Sequence, residues 1–188
     1  MVATQLEVAD PFAGLGSRAD DFEMIRGVLR EAEAMGGRHG AVTGYLHYDL
    51  GHFVVERDLG VVFSSDTQYE VIRDPRTILK PDVSFIASER LPVDIWIGII
   101  PIAPDFATEV ASPSNRQAQI LDKVGLYLEG GTRMVWVVRP EYRTVTAFRP
   151  DRPERIFGID DELDGEDVFP GYRLPVERLS RIRGRRSG

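Results

Sequence analysis

Apolar residues recur along this chain with two periods, and the alternation between them predicts the order of elements. Residues 1–21 have neither period and read as irregular. Phe22 to Glu31 reads as a short strand or hairpin arm, and Gly36-Gly37 as a break. A helix is expected from about Arg38 to Leu50, ended by Gly51. Strands are expected at Phe53 to Glu56 and Val61 to Phe63, on either side of Gly60. Asp66-Thr67 predicts a turn, with Tyr69 to Ile72 as the returning strand. Pro81 introduces another strand over Val83 to Ile86, and Phe106 to Ala111 is a further one. Ser112-Pro113-Ser114-Asn115 offers side chains that cap a helix start. That helix should run to about Leu128 and stop at Gly130-Gly131. Met134 to Val138 is continuously apolar, as expected for a buried central strand. Thr144 to Phe148 and Arg155 to Ile159 follow as strands, and Val176 to Ile182 as a short helix. Residues 91–104, rich in Pro and Ile, fit neither pattern. The order predicts a mixed α/β domain, a central mixed β-sheet flanked by helices. One domain is expected over residues 22–180, with a basic tail at 181–188.

Composition removes several kinds of chemistry. The 188 residues include no cysteine, which excludes disulfides, thiolate catalysis and zinc–cysteine sites. No apolar run approaches membrane-spanning length, and no basic start precedes an apolar stretch, so a cytoplasmic protein is expected. The net charge of −7 argues against a surface coated for nucleic acid. Local basic surfaces remain compatible with DNA. Arg178, Arg181, Arg183, Arg185 and Arg186 make the C-terminus either a solvated end or a phosphate-contacting arm.

Two carboxylates stand out once strand faces are assigned. Side chains alternate across a strand, so Asp82, Ser84 and Ile86 share one face. Asp105, Ala107, Glu109 and Ala111 share another, opposite Phe106, Thr108 and Val110. Glu109 thus sits among small residues on a strand with an apolar reverse face. A carboxylate there is costly unless it is paired, hydrogen-bonded or bound to metal. If the two strands are neighbours, Asp82 and Glu109 converge, and two hard oxygen donors suit Mg²⁺ or Mn²⁺. The same pattern also fits a strand-capping Asp82 and a Glu109 paired with an arginine.

The stretch Lys80-Pro81-Asp82-Val83-Ser84-Phe85-Ile86, then Glu109-Val110-Ala111-Ser112-Pro113-Ser114-Asn115-Arg116, then Lys123 and Tyr127, resembles the Uma-type family. This is a family of restriction endonucleases in the PD-(D/E)xK superfamily. Phe22 to Gly27, the His39 region, Leu59 to Phe63, Ser88 to Pro92 and Trp136 to Val138 also resemble it in order and spacing, covering roughly residues 22–180. The resemblance implies a restriction-endonuclease-like fold and roles for particular residues. Asp82 and Glu109 match the metal-binding acids, with Mg²⁺ or Mn²⁺ as cofactor. Lys123 matches a catalytic lysine moved onto the following helix. Arg116, Gln119, Tyr127 and His39 fall at supporting or substrate-binding positions. Geometry permits the lysine's displacement: a helix starting near Ser114 and folding back along the strand carries Lys123 roughly 13 Å back, at about 1.5 Å per residue.

The chain departs from the family pattern in several places. Ala111 stands where the superfamily's usual lysine would be, and Gln119 where the family has an aspartate four residues before the helix lysine. Met134, Val135 and Arg139 replace polar positions of the later strand, and the early Gly-Glu pair is Gly27-Val28. Other motifs fail. Gly14 to Ala19 imitates a dinucleotide fingerprint without the βαβ unit it requires. His39, His47 and His52 form no His-Glu-x-x-His pattern, and His39 fits a helix start or surface position as well as a site. Ser112 and Ser114 lack a nucleophile elbow. The acidic run from Asp160 has Gly171 at its twelfth position, so it reads as a solvated loop and not a calcium site.

Hydrolysis of DNA phosphodiesters with a divalent metal, by a homodimer matching duplex symmetry, is therefore the expected function. Two alternatives stay open. One is a silent relative that binds metal or nucleic acid, and the other a non-enzymatic interaction protein on the same fold.

Overall fold

The computed structural model describes residues 12, 14–31, 36–93, 97–112 and 117–180. A 3-10 helix at Gly16–Asp21, within the segment read as irregular, precedes a hairpin of β1 (Phe22–Ile25) and β2 (Val28–Glu31), followed by helix α1 (Gly37–Glu56). Strands β3 (Gly60–Ser64), β4 (Tyr69–Ile72), β5 (Thr77–Leu79), β6 (Val83–Ala87) and β7 (Phe106–Val110) come next. Helix α2 (Gln117–Glu129) leads to β8 (Met134–Arg139), β9 (Thr144–Arg149) and β10 (Arg152–Phe157). Then come β11 (Glu162–Asp164), β12 (Arg173–Pro175) and helix α3 (Val176–Ser180), the last of the described elements.

The hairpin turn is two residues, Arg26 and Gly27, with φ of +49° and +80°. Positive φ at both central positions matches the twist of a right-handed hairpin, and glycine takes it without strain. Sequence reasoning misplaced the end of α1. The helix runs through Gly51 to Glu56, so Phe53 to Glu56 is helical and not a strand. His39, Val42, Leu46, Leu50 and Val54 are all buried at steps of three and four, and this continuous stripe outweighs one glycine. The pairing of β4 also differs from the expected return onto β3. It pairs with β5 in a separate four-stranded sheet of order β2-β1-β5-β4. Thr77 to Leu79, too short to show a period, completes that sheet.

The six-stranded sheet has the order β10-β9-β8-β7-β6-β3 and is mixed. Its β7–β8 pair is parallel, with α2 as the crossover, and the others are antiparallel. All but the last residue of β8 is buried, and it lies between β7 and β9 in the middle of the sheet. The two faces hold separate cores. Val83, Phe85, Phe106, Trp136 and Val138 face Leu46 and Leu50 of α1 and the Phe169–Tyr172 region. Ile86, Ala107, Val135 and Val137 face α2 through Ile120, Val124 and Tyr127, together with Tyr69 and Leu79 of the smaller sheet. The acidic run is less solvated than its composition implies, because Leu163, Val168 and Phe169 anchor it in the core. Burial raises the Asp167 carboxyl, but hydrogen bonds from Arg133 and Arg149 outweigh it and bring it down to about 2.

Candidate functional site

Strands β6 and β7 run antiparallel with Val83 opposite Thr108 and Ser84 opposite Ala107. One step further along that register sets Asp82 beside Glu109. Alternation then puts both carboxylates on the face that carries Ser84 and Ala107, the face covered by α2. The Asp82 amide donates to Thr108 O at 2.9 Å, and Asp82 Oδ2 accepts from the Val110 amide at 2.6 Å. Asp82 is therefore fixed across the strand pair by its own main chain and side chain. It is 8 % exposed and Glu109 9 %.

Helix α2 supplies the cation. Its inward stripe of Ile120, Val124 and Tyr127 buries against the sheet, and Lys123 lies between them on the site side. Lys123 Nζ lies 2.8 Å from Glu109 Oε1 and donates to Oε2 at 2.9 Å. Tyr127, fully buried, donates its hydroxyl to Glu109 Oε1 at 2.8 Å. His39, from the first turn of α1, brings Nε2 to 3.0 Å from Asp82 Oδ2. The approach is not aligned for a hydrogen bond, and Nε2 has no such partner although His39 is 7 % exposed. His39 is thus an interior residue beside the aspartate and not a surface histidine.

One residue of the cluster escaped the sequence reading. Glu23 of β1 projects from the smaller sheet, its Oε1 3.0 Å from Lys123 Nζ and accepting from the Lys80 amide at 2.8 Å. A signal was present: Glu23 is flanked by Phe22 and Met24, which give its strand an apolar reverse face, as Thr108 and Val110 do for Glu109. What sequence could not supply was the docking of the hairpin against α2.

The carboxylates face a cavity of about 630 Å³ between the hairpin, the start of α1 and α2. Glu23, Asp82, Glu109 and Lys123 line it, together with Lys80 and the exposed Arg30 and Gln119. Arg116 lies outside the described residues. So do Ser114 and the tail arginines from Arg181 onward, while Arg178 comes within 3.8 Å of Asp49.

The electrostatics reflect burial first and the crowding of carboxylates second. Burial pushes the Glu109 carboxyl up to about 7; Lys123 opposes this, and Asp82 and Glu23 add to it. Burial would strip the proton from Lys123, but Glu109 and Glu23 more than reverse that and hold it as an ammonium. Burial, with Glu109 and Glu23 nearby, keeps the Tyr127 phenol protonated. Ionised, the three carboxylates against one ammonium leave two negative charges, the charge one divalent cation balances. The donor set is hard oxygen, as Mg²⁺ or Mn²⁺ requires. Among the described residues no three histidine or acidic side chains already converge as a metal cage. An ion held by Asp82 and Glu109 alone would keep several waters.

A family model described as "Uma2: Putative restriction endonuclease" matches residues 11–177. A solved structure titled as a putative nuclease belonging to DUF820, from Anabaena variabilis, superposes with a TM-score of 0.76. It is 23% identical and the match covers 85% of this chain and 89% of that one, which shows a shared fold. No curated protein matches the chain.

Proposed function

This chain belongs to the Uma2 family, described as putative restriction endonucleases, and we propose that it hydrolyses phosphodiester bonds in DNA with a divalent metal. The observation that carries the proposal is the placement of Asp82 and Glu109 on adjacent strands, with the Lys123 amine on Glu109 and all three lining one cavity. Asp82 and Glu109 would hold Mg²⁺ or Mn²⁺. Such an ion lowers the pKa of bound water and neutralises charge on the phosphate. In the hydrolysis a water oxygen bonds to phosphorus as the bond to the leaving sugar oxygen breaks, and that oxygen takes up a proton. Lys123, kept protonated, stabilises the negative charge that grows on the phosphate or orients the attacking water. Tyr127 holds Glu109 in place through its hydroxyl, and His39 restricts Asp82 from the other side. Gln119 and Lys80 line the same cavity and would contact a bound strand. Arg116 keeps its proposed substrate-contacting role on sequence grounds.

The same reading expects a cytoplasmic protein acting as a homodimer, since two-fold symmetry matches a duplex; a monomer by light scattering at high concentration would count against it. Among the described residues no helix is long and apolar enough to cross a membrane. A catalytically silent relative is the second reading, favoured by Gln119, exposed and uncharged where the family carries an aspartate.

Metal binding tests the proposal. Titration with Mn²⁺, followed by calorimetry, should show a site that Asp82→Ala and Glu109→Ala each abolish. Binding that survives both substitutions would place the metal elsewhere. Binding without cleavage of any nucleic acid would favour the silent relative.

A further inference from the structure

Lys123 has two carboxylate partners, and they come from different sheets. Glu109 belongs to β7 of the large sheet, and Glu23 to β1 of the small one. Glu23 is itself held rigidly, because its Oε1 also accepts from the Lys80 amide, two residues before Asp82. Its side chain is largely buried, and so is that of Lys123. A salt bridge this sheltered is not one of the exposed pairs that contribute little.

The two partners have unequal futures if Glu109 receives a divalent ion, as the proposed function requires. A carboxylate that turns an oxygen to an ion holds an ammonium less strongly, and the two cations then repel each other in a site of low polarity. An amine held by Glu109 alone would be loosened. We propose that Glu23 is the positioning residue that retains Lys123 in the site when Glu109 binds metal, so that ammonium and ion are present together. The inference rests on the metal-binding reading of Asp82 and Glu109 and adds to it a role for a residue outside the acid–acid–lysine set. Charge supports it: Glu23 with Lys123 forms one neutral pair, and Asp82 with Glu109 leaves the two negative charges a divalent ion balances.

Lys80 and Lys123 are the two lysines of the chain, so lysine resonances read this site with little overlap. The full chain would be labelled with ¹⁵N at lysine Nζ, assigned with Lys80→Arg, and titrated with Mg²⁺ alone. In the wild type the Lys123 ammonium signal should be visible, shift on adding Mg²⁺, and persist. In Glu23→Gln it should be visible without Mg²⁺, because Glu109 still holds the amine, and be lost to exchange with water when Mg²⁺ saturates. Glu23→Asp keeps the charge on a shorter arm and should retain a weakened Mg²⁺-bound signal, which also covers the case in which Glu23→Gln does not fold. A Mg²⁺-bound signal in these variants that persists as in the wild type would overturn the inference and leave the metal site standing. If Mg²⁺ moves no signal in the wild type, the metal reading itself fails and carries this inference with it. A loss of Lys123 signal in Glu23→Gln before any Mg²⁺ is added would also overturn it, since Glu109 would then not hold the amine.

Discussion

The amine of Lys123 rests on the carboxylate of Glu109, fourteen positions earlier in the chain, at 2.8 Å from one oxygen and 2.9 Å from the other. The position two residues after Glu109 is Ala111, whose amide is used in a main-chain bond to Val138. The crossover from β7 through α2 to β8 folds the helix back along the strand. A lysine six residues after Gln117, the first residue of α2, thereby reaches the level of the acid.

Lys123→Ala should slow DNA cleavage by about 10²- to 10³-fold, the usual loss when one preorganised charge partner is removed. Mn²⁺ affinity should hold or rise, because a competing cation has gone. Single-turnover cleavage and a Mn²⁺ titration separate the two effects. A proportional loss of metal binding would make Lys123 a structural support.

Glu109 gives a pH dependence of stability in the metal-free protein. Its folded pKa, about 7, lies above the ordinary 4.5, so the folded state binds this proton more tightly than the unfolded one. Stability from this group is complete below about 4.5 and is lost as pH rises to about 7. Relative to Glu109→Gln, the wild type should therefore weaken over that window by on the order of 3 kcal/mol and then level off. Urea unfolding midpoints of the two proteins at several pH values check the sign.

Asp105 shares a strand face with Glu109 but has a different task. It is fully buried, accepts from the Ala87 amide at 2.9 Å and pairs with Arg90 at 2.7 Å. Asp105→Ala leaves the buried Ala87 amide without its acceptor, while the partly exposed Arg90 keeps water and Ala103 O, and should cost on the order of 1–3 kcal/mol. Denaturant unfolding would show it. Mn²⁺ affinity of the folded fraction should stay as in the wild type.

Gly51 lies inside α1, with open space where a Cβ would go. Gly51→Ala should raise stability by up to about 1 kcal/mol, because alanine loses less backbone entropy in a helix. Thermal unfolding tests this, and a decrease would mean that the helix ends at the glycine.

Much of this architecture was legible in the sequence because burial imposes a period. The apolar run of β8 marked the centre of the sheet, and alternation along β6 and β7 assigned Asp82 and Glu109 to strand faces that converge if the two strands are neighbours, an adjacency that only the structure supplies. Where the signal was local and short, it failed. Gly51 suggested a helix end because one residue's propensity was weighed against a stripe whose last member, Val54, had been assigned to a strand. The smaller sheet was missed because Thr77 to Leu79 is three residues long and pairs with strands distant in sequence. Glu23 was missed for the same reason. Its partners are Lys80 and Lys123, and no short-range pattern connects β1 to α2.

Cleavage itself tests the account most directly. Supercoiled plasmid incubated with the full chain and Mg²⁺ or Mn²⁺ should be nicked, and EDTA should abolish the nicking. Asp82→Ala and Glu109→Ala should each abolish it as well. Added salt should slow the wild type steeply, because an acidic protein holds DNA through a few local cationic contacts. Nicking that persists in EDTA, or in both alanine variants, would contradict the assignment of Asp82 and Glu109 as the metal centre of a nuclease.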